Sequence, residues 1–318
     1  MIEFEDVSLS LGNFSLKNCS LSIEKGEYFV IMGPSGAGKT ILLELIAGLH
    51  DPDTGVIRIN DSDAAKIPVE KRGISIVYQD YALFPHMTVE ANICYGMQRR
   101  HIPPGEQTRR CTELADSFGI AHLLERKPLT LSGGEAQRVA LCRALAVKPS
   151  IILLDEPYSA LDNETRKSCI ADMKTLHKAG LTVVHVTHSL EEAKSLAMRI
   201  AIIRNGRVVR TGTAEEVFTH PMDEETARFL GFENIFSGDV VGRAGRVCIR
   251  SEDILLHPEK IENSIPGTVL SADINGALRI YRVDIGAVLT VTLGKREGDY
   301  PVGSRVFVEI PDSAVHTI

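Results

Sequence analysis

Apolar and polar positions alternate through IEFEDVSLSL and FSLKNCSLSI, which predicts half-buried strands within residues 1 to about 30. EYFVIM then runs into a glycine-rich turn, after which TILLELIAGL takes up helical spacing. VIRIN (56–60) and ISIVY (74–78) read as further strands. From about Thr88 to Val147 the spacing is helical, with no convincing strand. IILLD and TVVHVTH return as continuous apolar runs, the pattern of buried parallel strands between helices. In IAIIRNGRVVR, Asn205-Gly206 suits the two positive φ angles of a type I′ turn, so a hairpin is expected. This part therefore predicts an α/β fold: a parallel-sheet core, an N-terminal antiparallel β layer and an inserted helical subdomain at about 88–148.

After GFENIF (231–236) the texture changes. RVCIR, ALRIYRV, VLTVTL and RVFVEI are short alternating runs punctuated by Gly, Pro and Asp, as in a small all-β domain. The expected domains are 1–232 and 233–318, joined near Phe232.

Composition narrows the partners. A chain of 318 residues has room for two domains, and 44% apolar with 24% charged residues is a globular balance. The formal net charge of -7 argues against nucleic acid, which needs a basic face. No apolar run is long enough to span a bilayer: ILLELIAGL contains Glu44 and soon meets His50 and Asp51. MIEFEDV is acidic and is not expected to act as a signal peptide, so any link to a membrane runs through a partner protein. Cys19, Cys94, Cys111, Cys142, Cys169 and Cys248 are scattered, as expected of reduced structural thiols in a cytoplasmic protein.

Chemistry enters with GPSGAGKT: Gly33, Pro34, Ser35, Gly36, Ala37, Gly38, Lys39 and Thr40, between a predicted strand and a predicted helix. That is the context of a phosphate-binding P-loop. Small side chains let backbone N–H groups approach phosphates, and the helix N-terminus adds a favourable dipole. Lys39 is suited to neutralise the outer phosphates and the Thr40 hydroxyl to hold Mg²⁺. A P-loop alone leaves kinases, GTPases, recombinase-like motors and ABC ATPases open.

LSGGEAQ (131–137) carries a capping box, Ser132 with Glu135, at the start of a helix continuing through Arg143. A cap needs no glycines. Gly133 and Gly134 strip the helix start so that its N–H groups and Ser132 can meet an outside anion. IILLDEP (151–157) ends a buried strand on two carboxylates, a poor choice unless a cation or water takes them up. Asp155 suits Mg²⁺, and Glu156 suits polarising an attacking water.

Together these motifs resemble the ABC ATPase family over residues 1 to about 232. LSGGEAQ is similar to the family signature, IILLDE to its Walker B strand and SALD (Ser159, Ala160, Leu161, Asp162) to its D-loop. Gln79 matches the Q-loop glutamine and His188, in VTHSLEEA, the switch histidine. The resemblance implies that Gln79 contacts the metal or lytic water and His188 the γ-phosphate. It also implies hydrolysis of Mg-ATP in a homodimer packed head to tail. Ser132, Gly133, Gly134 and Glu135 of one copy would then close on the ATP of the other. A separate membrane permease is implied too, meeting DYALFPHM (80–87) through exposed Tyr81, Leu83, Phe84 and Pro85. An extracytoplasmic solute-binding protein would act indirectly, and the chain would sit peripherally on the cytoplasmic face of the cell membrane. The family's adenine-stacking aromatic has no plain counterpart. Leu11 is the nearest match and Phe14 the nearest aromatic, so base recognition stays open.

The β tail resembles the oligo-binding-like TOBE or MOP domain of importer ATPases. TARFLGFENIFSG, ENSIPGTV (262–269) and GALRIYRVDIG (276–286) are similar to segments of molybdate, tungstate or sulfate transporter ATPases. The tail looks shortened, with little chain between Val241 and Arg250 for a full first repeat. Pro311 and Asp312 stand where relatives offer a basic residue, and an Asp has the wrong sign for an oxyanion, so sensor and brace both stay open. The resemblance implies ATP-driven import of a small solute, an oxyanion such as molybdate or tungstate, with sulfate, polyamine, iron or sugar as alternative cargo. A soluble ABC ATPase of DNA repair or ribosome biology is the other class. The short spacing from P-loop to signature and the acidic charge speak against it. Intact Lys39, Asp155, Glu156 and His188 speak against a vestigial ATPase.

Overall fold

The alternating first segments form β1 (Ile2–Leu11) and β2 (Phe14–Ile23), paired antiparallel. Ile2, Phe4, Val7 and Leu9 on β1 and Leu16, Cys19, Leu21 and Ile23 on β2 face one hydrophobic core. The computed structural model describes residues 1–159, 161–178, 180–294 and 298–318. They fall into two compact units, Met1–Ala214 and Glu215–Ile318.

In the first unit the fully buried β3 (Tyr28–Met32) leads into α1 (Lys39–Ala47). β4 (Thr54–Ile59) and β5 (Ser62–Asp63) complete a four-stranded antiparallel sheet ordered β2-β1-β4-β5. After β6 (Ile74–Val77) come three helices, α2 (Val89–Arg99), α3 (Pro104–Ser117) and α4 (Gly133–Ala146). The chain returns through β7 (Ile151–Asp155), α5 (Asn163–Lys178), β8 (Thr182–Thr187) and α6 (Leu190–Leu196). The hairpin β9 (Arg199–Arg204) and β10 (Arg207–Thr213) closes the unit. At its turn Asn205 and Gly206 have φ of 51° and 72°. A Cβ at Gly206 would lie 2.0 Å from the Ser15 carbonyl oxygen, so only glycine fits.

The central sheet is ordered β10-β9-β3-β8-β7-β6, with every pairing parallel except β10 with β9. β7 and β8 are buried at every position, as continuous apolar runs between helices should be. The carboxyl ends of β3, β6, β7 and β8 thus lie along one edge, where open α/β sheets bind ligands.

Arg72 fixes the far end of α1. Its guanidinium donates to the carbonyls of Ile46 (3.1 Å), Ala64 (2.8 Å) and Ile67 (3.2 Å), satisfying an acceptor at the end of the helix and adding a second donor to Ala64 O, which also takes the Ile67 N–H. Gly48 makes the room, since a Cβ there would lie 2.5 Å from the guanidinium carbon.

In the second unit α7 (Ala214–Thr219) and α8 (Glu224–Phe229) precede the strands. β11 (Asn234–Ser237) and β12 (Arg246–Ile249) pair with the terminal β18 (His316–Thr317) in a three-stranded sheet. Five strands form the other sheet: β13 (Leu255–His257), β14 (Ile265–Asn275), β15 (Leu278–Asp284), β16 (Val288–Gly294) and β17 (Arg305–Glu309). Asn234 joins the two sheets, donating to Thr290 O at 2.8 Å and accepting from Thr290 N at 2.6 Å.

The units part at 214/215, earlier than the join expected near Phe232. Residues 215–232 go with the strands because Arg250 on the β side holds them. It donates to Phe218 O (3.1 Å) and Leu230 O (2.8 Å), and lies 4.1 Å over the Phe232 ring. No helix among the described residues is long and apolar enough to cross a membrane.

Replacing Arg72 by Ala removes donors from three carbonyls, of which Ala64 O keeps the Ile67 N–H and Ile46 O is left buried without that partner. The expected cost is about 2–4 kcal/mol, read as a Tm lower by roughly 5–10 °C in calorimetry. A Tm unchanged in Arg72→Ala would show that the cap carries no stability.

Candidate functional site

The P-loop is shaped by close approaches. A Cβ on Gly33 would lie 2.2 Å from Ile203 O, and one on Gly38, at φ 103°, would lie 2.3 Å from the Phe14 ring. α1 begins with no side-chain cap, leaving its first N–H groups to an outside acceptor. Lys39 is buried, donates to Gly33 O (2.9 Å) and Pro34 O (3.0 Å), and lies 3.7 Å from Glu156 Oε1. An ammonium clustered with the P-loop carbonyls and a carboxylate is placed for phosphate oxygens.

Asp155 closes β7 and accepts from the Thr40 hydroxyl at 2.9 Å. Burial pushes its carboxyl above the usual range, and the Thr40 bond only partly offsets this. Glu156 follows at φ 44°, a left-handed conformation that is strained for a residue with a Cβ. Its N–H donates to Val186 O at 2.9 Å, which ties it to β8. Its Oε2 meets His188 Nδ1 at 3.1 Å, and since a carboxylate only accepts, the proton of that contact lies on Nδ1. Lys39, at the start of α1, and His188, just past the end of β8, thus bracket Glu156.

Gln79 is exposed just beyond β6 and lines a cleft of about 580 Å³ with Tyr78, Asp80, Ala82, Asp155 and Ser159. In the D-loop, Ser159 Oγ donates to Glu156 O at 3.0 Å, and Arg166 donates to Leu161 O at 3.0 Å. The Asp162 carboxylate is engaged at the start of α5, accepting from Glu164 N, Thr165 N and Thr165 Oγ1, bonds that hold it below the usual range. Ala160 lies outside the described residues.

The capping box of the signature is formed in full, with Ser132 N to Glu135 Oε2 at 2.7 Å and Glu135 N to Ser132 Oγ at 3.3 Å. Gly134 has a packing reason as well, since a Cβ there would lie 2.4 Å from Thr165 Cγ2. Ser132 and Gly133 stay exposed. Among the described residues of this one chain, no hydrogen bond or ion pair joins residues 132–135 to the P-loop.

One expectation fails. Tyr81 is buried, not exposed; Leu83 and Phe84 are half-buried, and Pro85 alone of the four stands out. Residues the motifs did not single out build this segment. Arg143 donates to Tyr81 O (2.8 Å) and Ala82 O (2.6 Å) and lies 5.4 Å over the Phe84 ring. Asn92, fully buried, accepts from Phe84 N (2.8 Å) and donates to Phe84 O (3.1 Å). An Asn at a buried position of ANICYGM was the sequence signal for that clamp.

The raised Asp155 pKa makes a prediction with a definite sign. Its folded state favours the proton, so ionisation costs stability at every pH above that pKa, and the cost fades as pH falls through it. Asp155→Asn should raise Tm by a few degrees at neutral pH and give no gain in acid, while hydrolysis is lost. A lower Tm at neutral pH would contradict the burial argument.

Residues 16–159 match the ABC transporter family model, and residues 247–318 match the TOBE domain. The molybdate/tungstate import ATP-binding protein of Thermococcus kodakarensis is 49% identical over 282 residues, covering 83% of this chain and 86% of the relative. That of Pyrococcus horikoshii is 42% identical and covers 99% of each. A sulfate/thiosulfate import ATP-binding protein of Synechocystis sp. is 37% identical, over 97% of this chain and 93% of its own. The dimeric post-hydrolysis structure of an ATP-binding cassette bound to ADP and Pi superposes with a TM-score of 0.62 at 32% identity. It covers 67% of this chain and 99% of its own. With this match and these relatives, the chain, whose glycine-rich loop, paired carboxylates and His188 converge at one sheet edge, belongs to the ABC transporter ATP-binding proteins and is an ATP hydrolase.

Proposed function

We propose that two copies of this chain hydrolyse Mg-ATP to drive import of an oxyanion, molybdate or tungstate, through a separate membrane permease. The observation that carries the hydrolytic part is Glu156, held between Lys39 (3.7 Å) and His188 (3.1 Å) at the end of a buried strand. The P-loop N–H groups and Lys39 bind the phosphates, Glu156 accepts hydrogen bonds from the attacking water, and His188 steadies the γ-phosphate. Thr40 Oγ1 and Asp155 offer hard oxygens at 2.9 Å from each other, and a divalent cation supplies the positive charge that buried Asp155 favours. When bound, Mg²⁺ neutralises charge on the phosphates. Gln79 shares the cleft with Asp155 and senses that centre.

The cassette superposed above is dimeric, which supports closure of residues 132–135 from the second copy onto the ATP. Phe14, packed on Gly38 at the P-loop, is the better of the two candidates for meeting adenine; Leu11 has no ring to stack. Half-buried Leu83 and Phe84 with exposed Pro85 form the permease contact, with the chain peripheral on the cytoplasmic face and the solute-binding protein on the other side. Oxyanion cargo rests on the relatives that are molybdate/tungstate import ATP-binding proteins at 42–49% identity. The tail acts as a brace rather than an oxyanion sensor. Its larger cleft, about 530 Å³, is lined by Glu262, Glu309 and Asp312 and by no Lys or Arg. The Asp312 charge is met from the side by Arg243 at 2.7 Å.

Disrupting the gene in its host should abolish uptake of labelled tungstate or molybdate, with recovery on return of the wild-type chain but not of Lys39→Ala. Undiminished oxyanion uptake, or loss of sulfate or polyamine uptake instead, would overturn the cargo assignment.

A further inference from the structure

We infer that Glu192 is a positioning residue that ties the turn carrying His188 to the D-loop. The inference rests on the assignment of Glu156 and His188 to hydrolysis and adds a residue to which the motifs assign no role.

Glu192 lies in the first turn of α6 and is 3% exposed, a costly place for a carboxylate without partners. Its Oε2 accepts from Thr187 Oγ1 at 2.5 Å. The Thr187 oxygen accepts in turn from Ser189 N at 3.0 Å, and Ser189 Oγ accepts from Glu192 N at 3.3 Å. Both neighbours of His188 are therefore bonded into one ring that closes on Glu192, which sets the direction in which the imidazole leaves the strand end.

The other oxygen looks toward the D-loop. Glu192 Oε1 lies 3.9 Å from Arg166 Nε, and Arg166 Nη2 holds Leu161 O at 3.0 Å. One carboxylate thus has the turn carrying His188 on one oxygen and, on the other, the α5 guanidinium that holds the D-loop. Around it the interior is polar but closed. His185, fully buried, brings Nε2 to 3.5 Å from Glu192 Oε2, while its Nδ1 meets Tyr28 Oη at 3.1 Å. Tyr158, two residues beyond Glu156, stands edge-on to the His185 ring at 5.5 Å.

Arg166 Nε and His185 Nε2 are buried and complete no hydrogen bond. Both stop just short of Glu192, so a small shift of the D-loop or of the switch turn changes how well the same carboxylate is partnered. Although burial pushes the Glu192 carboxyl up, the nearby His185 imidazole, the hydrogen bond from Thr187 and the Arg166 charge together outweigh it and hold it below its usual range.

The test uses the full chain, with turnover, KM for ATP and Tm measured for each variant. Glu192→Gln and Thr187→Val should lower kcat about tenfold or more while KM stays within about threefold, and Thr187→Ser, which keeps the hydroxyl, should restore turnover. The losses in log kcat from Thr187→Val and Arg166→Lys should fail to add, because both act through one carboxylate. Should Glu192→Gln not fold, the Thr187 pair and this cycle decide. Turnover in Thr187→Val equal to that of Thr187→Ser, or additive losses, would overturn the tie. Glu156→Gln serves as the control: full turnover in that variant would instead fail the hydrolytic assignment itself.

Discussion

Two carboxylates at the closed end of an apolar strand set the terms for the rest of the site. IILLD is buried at every position, and burying Asp155 without an answering charge or donor costs several kcal/mol. Each neighbouring element supplies part of the answer. α1 brings Thr40 to Asp155 and Lys39 to Glu156, and the turn after β8 brings His188 to the other oxygen of Glu156. The parallel sheet makes this convergence possible, because adjacent parallel strands release their loops at the same edge. Stability is given up at this point: the left-handed backbone of Glu156 and the raised pKa of Asp155 both fall at the site proposed for hydrolysis.

Much of this was legible in the chain. Continuous apolar runs identified β7 and β8 because a strand covered on both faces has no use for alternation, and Asn-Gly identified the β9–β10 turn because few other pairs accept two positive φ angles. GPSGAGKT and IILLDEP pointed to one place in the fold, the sheet edge where Lys39 and Thr40 meet Glu156 and Asp155, because neither glycine-rich close approach nor a buried acidic pair has a good structural alternative. The less legible features depend on what lies opposite in space. Gly134 looked like an opened helix start, yet Thr165 occupies the volume its side chain would fill. Tyr81 looked like surface, yet Arg143, far along the chain, turns that segment inward by gripping two successive carbonyls. The compact units part earlier than the expected join for a similar reason: residues 214–229 read like the core preceding them, but carbonyls at Phe218 and Leu230 and the Phe232 ring are bound by Arg250 in the β unit.

Arginines recur as the fasteners that patterns did not reveal. Arg72 closes the end of α1, Arg143 shapes the segment after Gln79, Arg166 holds the D-loop and Arg250 gathers the start of the second unit. Each donates to backbone carbonyls at turns and helix ends, a task for which a planar guanidinium with several donors is better suited than an ammonium. A single Arg in a polar stretch gives no hint of which carbonyls it will reach, so these roles become visible only in three dimensions.

The central claim is that Glu156 acts on ATP enclosed by two copies of the chain. Sedimentation velocity of Glu156→Gln with and without Mg-ATP addresses it most directly. The account predicts a monomer without nucleotide and a stable, nucleotide-loaded dimer with it, at negligible turnover. A variant that stays monomeric in Mg-ATP and hydrolyses it at the wild-type rate would contradict the account.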